Sequence, residues 1–142
     1  YDSMSNVAEL AAEGREWGLP LMAEMLPGGF DPSIENSIEN LTLVARTGCE
    51  YGASIIKTSF TGTAEEYANV IRASYQPVVV LGGEKVSDLA GLFGAIETAM
   101  EAGAKGCAIG RNVWKHKDPE AVTRALVDII HNGKKASEIP AL

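Results

Sequence analysis

The sequence predicts an α/β protein assembled from parallel β/α units, and three observations carry that prediction. Short apolar runs alternate with longer segments of helical periodicity. Each run is closed by a loop bearing Gly or Pro. One run, Pro77-Val78-Val79-Val80-Leu81, is apolar on both faces, as strands of helix-covered parallel sheets are. The 142 residues suit one domain, and 46% hydrophobic against 22% charged residues places the chain among globular proteins.

The first element is a helix over residues 5–17, where Val7, Leu10 and Ala11 recur among Glu9, Glu13, Arg15 and Glu16 before Gly18 stops it. Residues 20–26 follow as a short strand closed by Pro27-Gly28-Gly29, with Glu24 its single charge. The polar loop over 28–37 contains Ser33-Ile34-Glu35-Asn36 and its duplicate Ser37-Ile38-Glu39-Asn40, too short for a structural repeat. Leu41, Val44, Ala45 and Cys49 mark a second helix, and the β-branched run 53–58 a second strand with Lys57 near its end. Thr63-Ala64-Glu65-Glu66 is a capping box opening a third helix, whose apolar face is Tyr67, Val70 and Ile71.

After the 77–81 strand and Gly82-Gly83, Ser87-Asp88 caps a helix with the stripe Leu89, Leu92, Phe93, Ile96 and Met100, ended by Gly103. Gly106-Cys107-Ala108-Ile109 is the fourth strand. Asp118-Pro119 then caps the final helix, which stops near Gly133 and leaves a loosely held tail, 134–142. Strand starts lie roughly 25 to 33 residues apart, as βαβ crossovers require. Four such strands make either a small open sheet or half of an eight-stranded barrel.

In either architecture ligands bind beyond the C-terminal ends of the strands, so the informative segments are Glu24 to Gly29, Lys57 to Gly62, Gly82-Gly83-Glu84-Lys85 and Gly110-Arg111-Asn112. In the last two, glycines let an anion approach the backbone, amides at a helix start face it, and Arg111 adds a forked cation. Tight turns explain the same glycines without any ligand. Lys57 is costly to bury among isoleucines unless it is paired, deprotonated or used covalently. Desolvation favours its neutral amine, which attacks carbonyls to form imines. The plainer alternative is a lysine that snorkels to the sheet end or pairs with Glu24.

Residues 53–62, 77–85 and the stretch from Gly103 through Gly110-Arg111-Asn112-Val113-Trp114 to Pro119 resemble archaeal-type class I fructose-bisphosphate aldolases and their relatives, in order and over nearly the whole chain. The resemblance implies a partial (β/α)₈ TIM barrel over 1–142, its C-terminal half, with these strands the fifth to eighth. It implies aldol or retro-aldol chemistry on a phosphorylated ketone or aldehyde, with Lys57 as the Schiff-base lysine and Gly82, Gly83, Gly110 and Arg111 around the substrate phosphate; the alternatives are a transaldolase- or thiolase-like transferase of the same family and a non-catalytic phosphate-binding or structural half-barrel. Many members carry an acid/base tyrosine where this chain has Leu26, which moves no proton. Glu24, two residues earlier on the same face of the strand, is the candidate to replace it.

The family's first four strands have no counterpart in these residues, and the chain starts with Tyr1. A piece of a longer reading frame, a pair of copies closing one barrel, and an open sheet all accommodate that, and exposed sheet edges favour a homo-oligomer. Imine chemistry needs no metal or organic cofactor, and no ligand cluster marks one. A net charge of −7, with no basic cluster longer than Lys115-His116-Lys117 or Lys134-Lys135, argues against nucleic acid as a partner. No apolar run approaches the ~20 residues that cross a bilayer, so no membrane association is expected. Cys49 and Cys107, far apart in apolar surroundings, are expected as buried thiols in a reducing cytoplasm. His116 and His131 are assigned to helix ends, and Trp17, Trp114 and Tyr67 to packing.

Overall fold

The computed structural model describes residues 2–29, 31 and 33–142. Tyr1, Phe30 and Pro32 lie outside the described residues, the latter two within the predicted 28–37 loop. Among the described residues the order is α1 (Asp2–Glu16), β1 (Met22–Glu24), α2 (Ile38–Glu50), β2 (Ile55–Thr58), α3 (Ala64–Ala73), β3 (Val78–Leu81), α4 (Ala90–Glu101), β4 (Cys107–Ala108), α5 (Arg111–Trp114) and α6 (Pro119–Asn132). A 3₁₀ turn, Ala136–Glu138, follows.

The four strands form one sheet in the order β1-β2-β3-β4, every pair parallel. A strand order that never reverses, joined by right-handed crossovers, puts successive helices on the same face. That is the winding of a barrel wall rather than of a doubly wound sheet. Burial agrees. Ala23, Met25, Ile56, Val78 and Val80 point to one face and are at most 7% exposed, packed with Leu41, Ala45, Phe93, Ile96 and Val122 of the helices.

The other face carries Met22, Glu24, Ile55, Lys57, Val79 and Leu81, all exposed or half-buried. Here the structure corrects an expectation: the apolar run 77–81 is covered by helices on one side only. Val79 and Leu81 are apolar because they stand on the inner face of a curved wall, not because a second helix layer covers them.

Local chemistry explains most element ends. Ser37 accepts the Asn40 amide at the start of α2, and Thr63 and Glu66 form the predicted reciprocal capping box of α3. Asp118 accepts the Ala121 amide at the start of α6. The predicted cap at Ser87-Asp88 sits slightly too early. α4 begins at Ala90, and Asp88 reaches it by accepting the Ala90 amide at 3.0 Å.

The tail is held rather than loose. Lys135 pairs with Glu97 and Glu101, the Ala136 amide donates to Glu97 at 2.8 Å, and Ile139 and Leu142 pack on the core. Both cysteines are free thiols: Cys49 is buried, and burial raises the pKa of Cys107. Tyr67 is fully buried as expected, and its hydroxyl donates to the Ser59 carbonyl at 2.9 Å. Trp17 and Trp114 depart from the packing expectation, being 79% and 66% exposed. No helix among the described residues is long and apolar enough to cross a membrane.

Candidate active site

Parallel register brings the two charged strand residues together. Met22 stands opposite Ile55, Ala23 opposite Ile56 and Glu24 opposite Lys57, so the carboxylate and the amine occupy neighbouring places in one row. Lys57 Nζ donates to Glu24 Oε2 at 2.8 Å. Lys57 retains 23% of its side-chain exposure and Glu24 47%, so the pair lies on the open face rather than inside the core. The plainer sequence alternative for Lys57, pairing with Glu24, is what the structure contains. It is also an arrangement in which a carboxylate can take the proton that an amine must lose before it attacks a carbonyl. Leu26, half-buried, offers no proton-transfer group.

Thr58 supports this row from behind. Its hydroxyl donates to the Met25 carbonyl at 2.6 Å, and the Met25 amide donates to the Lys57 carbonyl at 2.8 Å, which ties β1 and β2 together directly beyond the pair.

The second cluster forms where β3 and β4 end. Leu81 stands opposite Ala108, so Gly82 and Ile109 leave the sheet side by side. A Cβ on Gly82 would lie 2.5 Å from Ile109 Cγ2, so the two chains approach closely only because residue 82 is glycine. Gly83 has φ +61°, the left-handed region in which glycine is at ease. Gly110 caps the one-turn helix α5, and the Trp114 ring lies over the place its Cβ would fill. All three glycines therefore have steric reasons of their own, beside any ligand.

Arg111, on the first turn of α5, pairs with Glu84 at 3.1 Å. Both ends are solvated, the Glu84 side chain being 91% exposed, so the pair is weak and exchangeable. A phosphate would offer Arg111 the same kind of oxygens with more charge.

Sequence reasoning missed one residue here. Asn112 is 2% exposed, and its side-chain amide makes three bonds into the loop after β3. Its Nδ2 donates to the carbonyls of Gly82 at 2.7 Å and Glu84 at 2.9 Å, and its Oδ1 accepts the Val86 amide at 2.8 Å. Helix α5 was missed as well, four residues being too few to show periodicity. Nothing in the sequence marks Asn112, because all three of its partners are backbone groups.

The geometry thus gathers Glu24 with Lys57, and Gly82, Gly83, Gly110 and Arg111 with one another. The Gly82 row lies three residues beyond Val79, the partner of Lys57, or about 10 Å further along the strand direction.

Comparison with known proteins places the chain in a family. Residues 2–116 match the DeoC/LacD family aldolase model, and the chain belongs to that family. It is 35% identical over 132 residues to the 2-amino-3,7-dideoxy-D-threo-hept-6-ulosonate synthase of Halobacterium salinarum, covering 92% of this chain and 49% of that protein. It is 32% identical over 139 residues to the class 1 fructose-bisphosphate aldolase of Thermoproteus tenax, covering 97% and 53%. The structure superimposes with a TM-score of 0.81 and 28% identity on an archaeal fructose-1,6-bisphosphate aldolase whose catalytic lysine is bound covalently to a carbinolamine intermediate, covering 89% of this chain and 51% of that one. The chain spans about half the length of the curated relatives it matches. Its fold is α/β with parallel strands, half of an aldolase barrel.

Proposed function

We propose that residues 1–142 form one partial barrel domain carrying the imine-forming half of a class I aldolase-type lyase that acts on a phosphorylated ketose or related phosphorylated carbonyl compound. The observation that carries this reading is the Lys57–Glu24 pair at 2.8 Å on the open face, in the row below the Gly82 and Arg111 loops.

In the proposed mechanism Lys57 passes a proton to the Glu24 carboxylate, and the freed amine attacks the substrate ketone to give a carbinolamine. Glu24 returns the proton to the departing hydroxyl, water leaves, and an iminium remains. The bond between the carbons α and β to the iminium carbon then breaks, its electron pair moving into the iminium to give an enamine, while the Glu24 carboxylate takes the β-hydroxyl proton as the aldehyde forms. Protonation of the enamine and hydrolysis release the second product and Lys57.

Gly82, Gly83, Gly110 and Arg111 hold the phosphate. The Gly82 row lies about 10 Å beyond the Lys57 row along the strand direction, on the side where the loops that follow the strands gather. No metal or organic cofactor enters this scheme. Half-length coverage of the relatives and two sheet edges favour assembly with further strands, in a homo-oligomer or a longer chain. The free cysteines fit a reducing, cytoplasmic setting. A second reading, a non-catalytic phosphate-binding half-barrel, draws on Leu26, where many family members carry the acid/base tyrosine.

Borohydride trapping separates the two. Incubation with dihydroxyacetone phosphate followed by reduction is expected to leave an adduct on Lys57, located by peptide mass spectrometry and lost in Lys57→Ala. A folded protein that gives no adduct would favour the non-catalytic reading.

A further inference from the structure

We propose that Asn112 is a positioning residue that aims two backbone amides, those of Gly83 and Lys85, at the substrate phosphate; this rests on the phosphate-site reading above. The argument is one of peptide geometry. All peptide bonds in the described chain are trans, and in a planar trans peptide the carbonyl of one residue and the N–H of the next point in opposite directions. Asn112 Nδ2 binds the carbonyls of Gly82 and Glu84. The N–H groups of Gly83 and Lys85, which share those two peptide planes, are therefore turned away from Asn112. Neither amide finds an acceptor among the described residues.

Both N–H groups thus lie on the outer side of the loop, away from Asn112, unpaired among the described residues and open to an anion. The third Asn112 contact completes the arrangement. Its Oδ1 takes the Val86 amide, so that N–H is committed inward and the loop is anchored beyond the donors as well as before them.

Only an amide side chain does this. Two carbonyls require a donor and one N–H requires an acceptor, and asparagine presents both from a single planar group. Because Asn112 directly follows Arg111, the same one-turn helix fixes the guanidinium and the amide donors relative to each other. The Asn112 side chain is buried, so it touches no substrate and acts through the loop.

The test is a ¹H–¹⁵N correlation titration of the full chain with inorganic phosphate. Saturable downfield shifts of the Gly83 and Lys85 amide protons, with Val86 unmoved, are expected. In Asn112→Ala those shifts should disappear and phosphate affinity should fall about tenfold, as loss of charge-assisted hydrogen bonds implies. Borohydride trapping of unphosphorylated dihydroxyacetone on Lys57 should be unchanged in that variant. Equal loss of both readouts would assign Asn112 a merely structural role and overturn the proposal. Saturable shifts confined to Gly110 and Arg111 would keep the phosphate site and refute the part given to Asn112. No saturable shift anywhere would refute the phosphate reading and this inference with it. If Asn112→Ala loses its dispersed spectrum, Asn112→Ser, smaller but still polar, is titrated in its place, and unchanged Gly83 and Lys85 shifts there would refute the part given to Asn112.

Discussion

Replacing Gly82 with alanine tests whether the ends of β3 and β4 are held together by a steric fit. The added Cβ would sit 2.5 Å from Ile109 Cγ2, 2.9 Å from Cγ1 and 3.0 Å from Cβ. Carbon atoms settle about 3.5 to 4.0 Å apart, so the overlap with the nearest atom is about 1 Å. Ile109 is β-branched and stiff at χ1, so rotation relieves little of it. The strand ends must separate instead, at an overpacking cost of about 1–3 kcal/mol. Ile109→Ala removes the two nearest atoms and leaves only the contact at 3.0 Å. The double variant is therefore expected to be destabilised by at least about 1 kcal/mol less than the sum of the single ones, whereas independent sites add within about 0.5 kcal/mol. Urea unfolding followed by circular dichroism gives each value from its midpoint at unchanged slope. Additive single and double variants would refute the account. The same displacement should reach the ligand site, since Gly82 also carries the carbonyl bound by Asn112.

Further outcomes follow from other contacts. Tyr67→Phe leaves the Ser59 carbonyl without its donor and should cost about 1 kcal/mol in the same unfolding assay, with the ring still filling its place. The Glu66 carboxyl is held below its ordinary 4.5 by hydrogen bonds from the Thr63 backbone and side chain. Its contribution is therefore complete above the unfolded-state value and lost as pH falls through the lower folded-state one; Glu66→Gln should flatten that part of an acid titration of stability. Lys135→Ala cuts the links to Glu97 and Glu101 and should speed amide exchange across 134–142 while leaving the central helices protected; an unchanged tail would show that Ile139, Leu142 and the Ala136–Glu97 bond hold it without Lys135. Glu84→Gln removes the carboxylate that competes for Arg111 and should tighten inorganic phosphate binding by up to about fivefold, read by calorimetry.

Much of the fold was legible because each signal was local. Glycines, prolines and capping residues fix where elements stop, and those signals gave every strand and the five longer helices to within a few residues. What failed was not local. The tail looked loose because Lys135, Ile139 and Leu142 find their partners on α4 and the core, far away in sequence. Helix α5 was invisible to periodicity at four residues. The open side of β3 could not be inferred from composition, since an inner barrel face and a helix-covered face are both apolar.

The candidate site divides along the same line. Strand alternation already placed Glu24 and Leu26 on one face of β1, and Lys57 stood out as a charge in an apolar strand. Whether Glu24 and Lys57 meet depends on register, which neither strand states alone. A slip of one residue between β1 and β2 would set Glu24 beside Ile56 or Thr58, with their side chains on opposite faces. The observed register is pinned by three backbone hydrogen bonds: the Ser54 and Ile55 amides on the Leu21 carbonyl at the start of the strands, and the Met25 amide on the Lys57 carbonyl at their end. Asn112 shows the converse case. No pattern announces it, because its partners are backbone groups, and backbone groups are the same in every sequence. A residue that organises a loop through carbonyls and amides becomes recognisable only when the loop's peptide planes are seen.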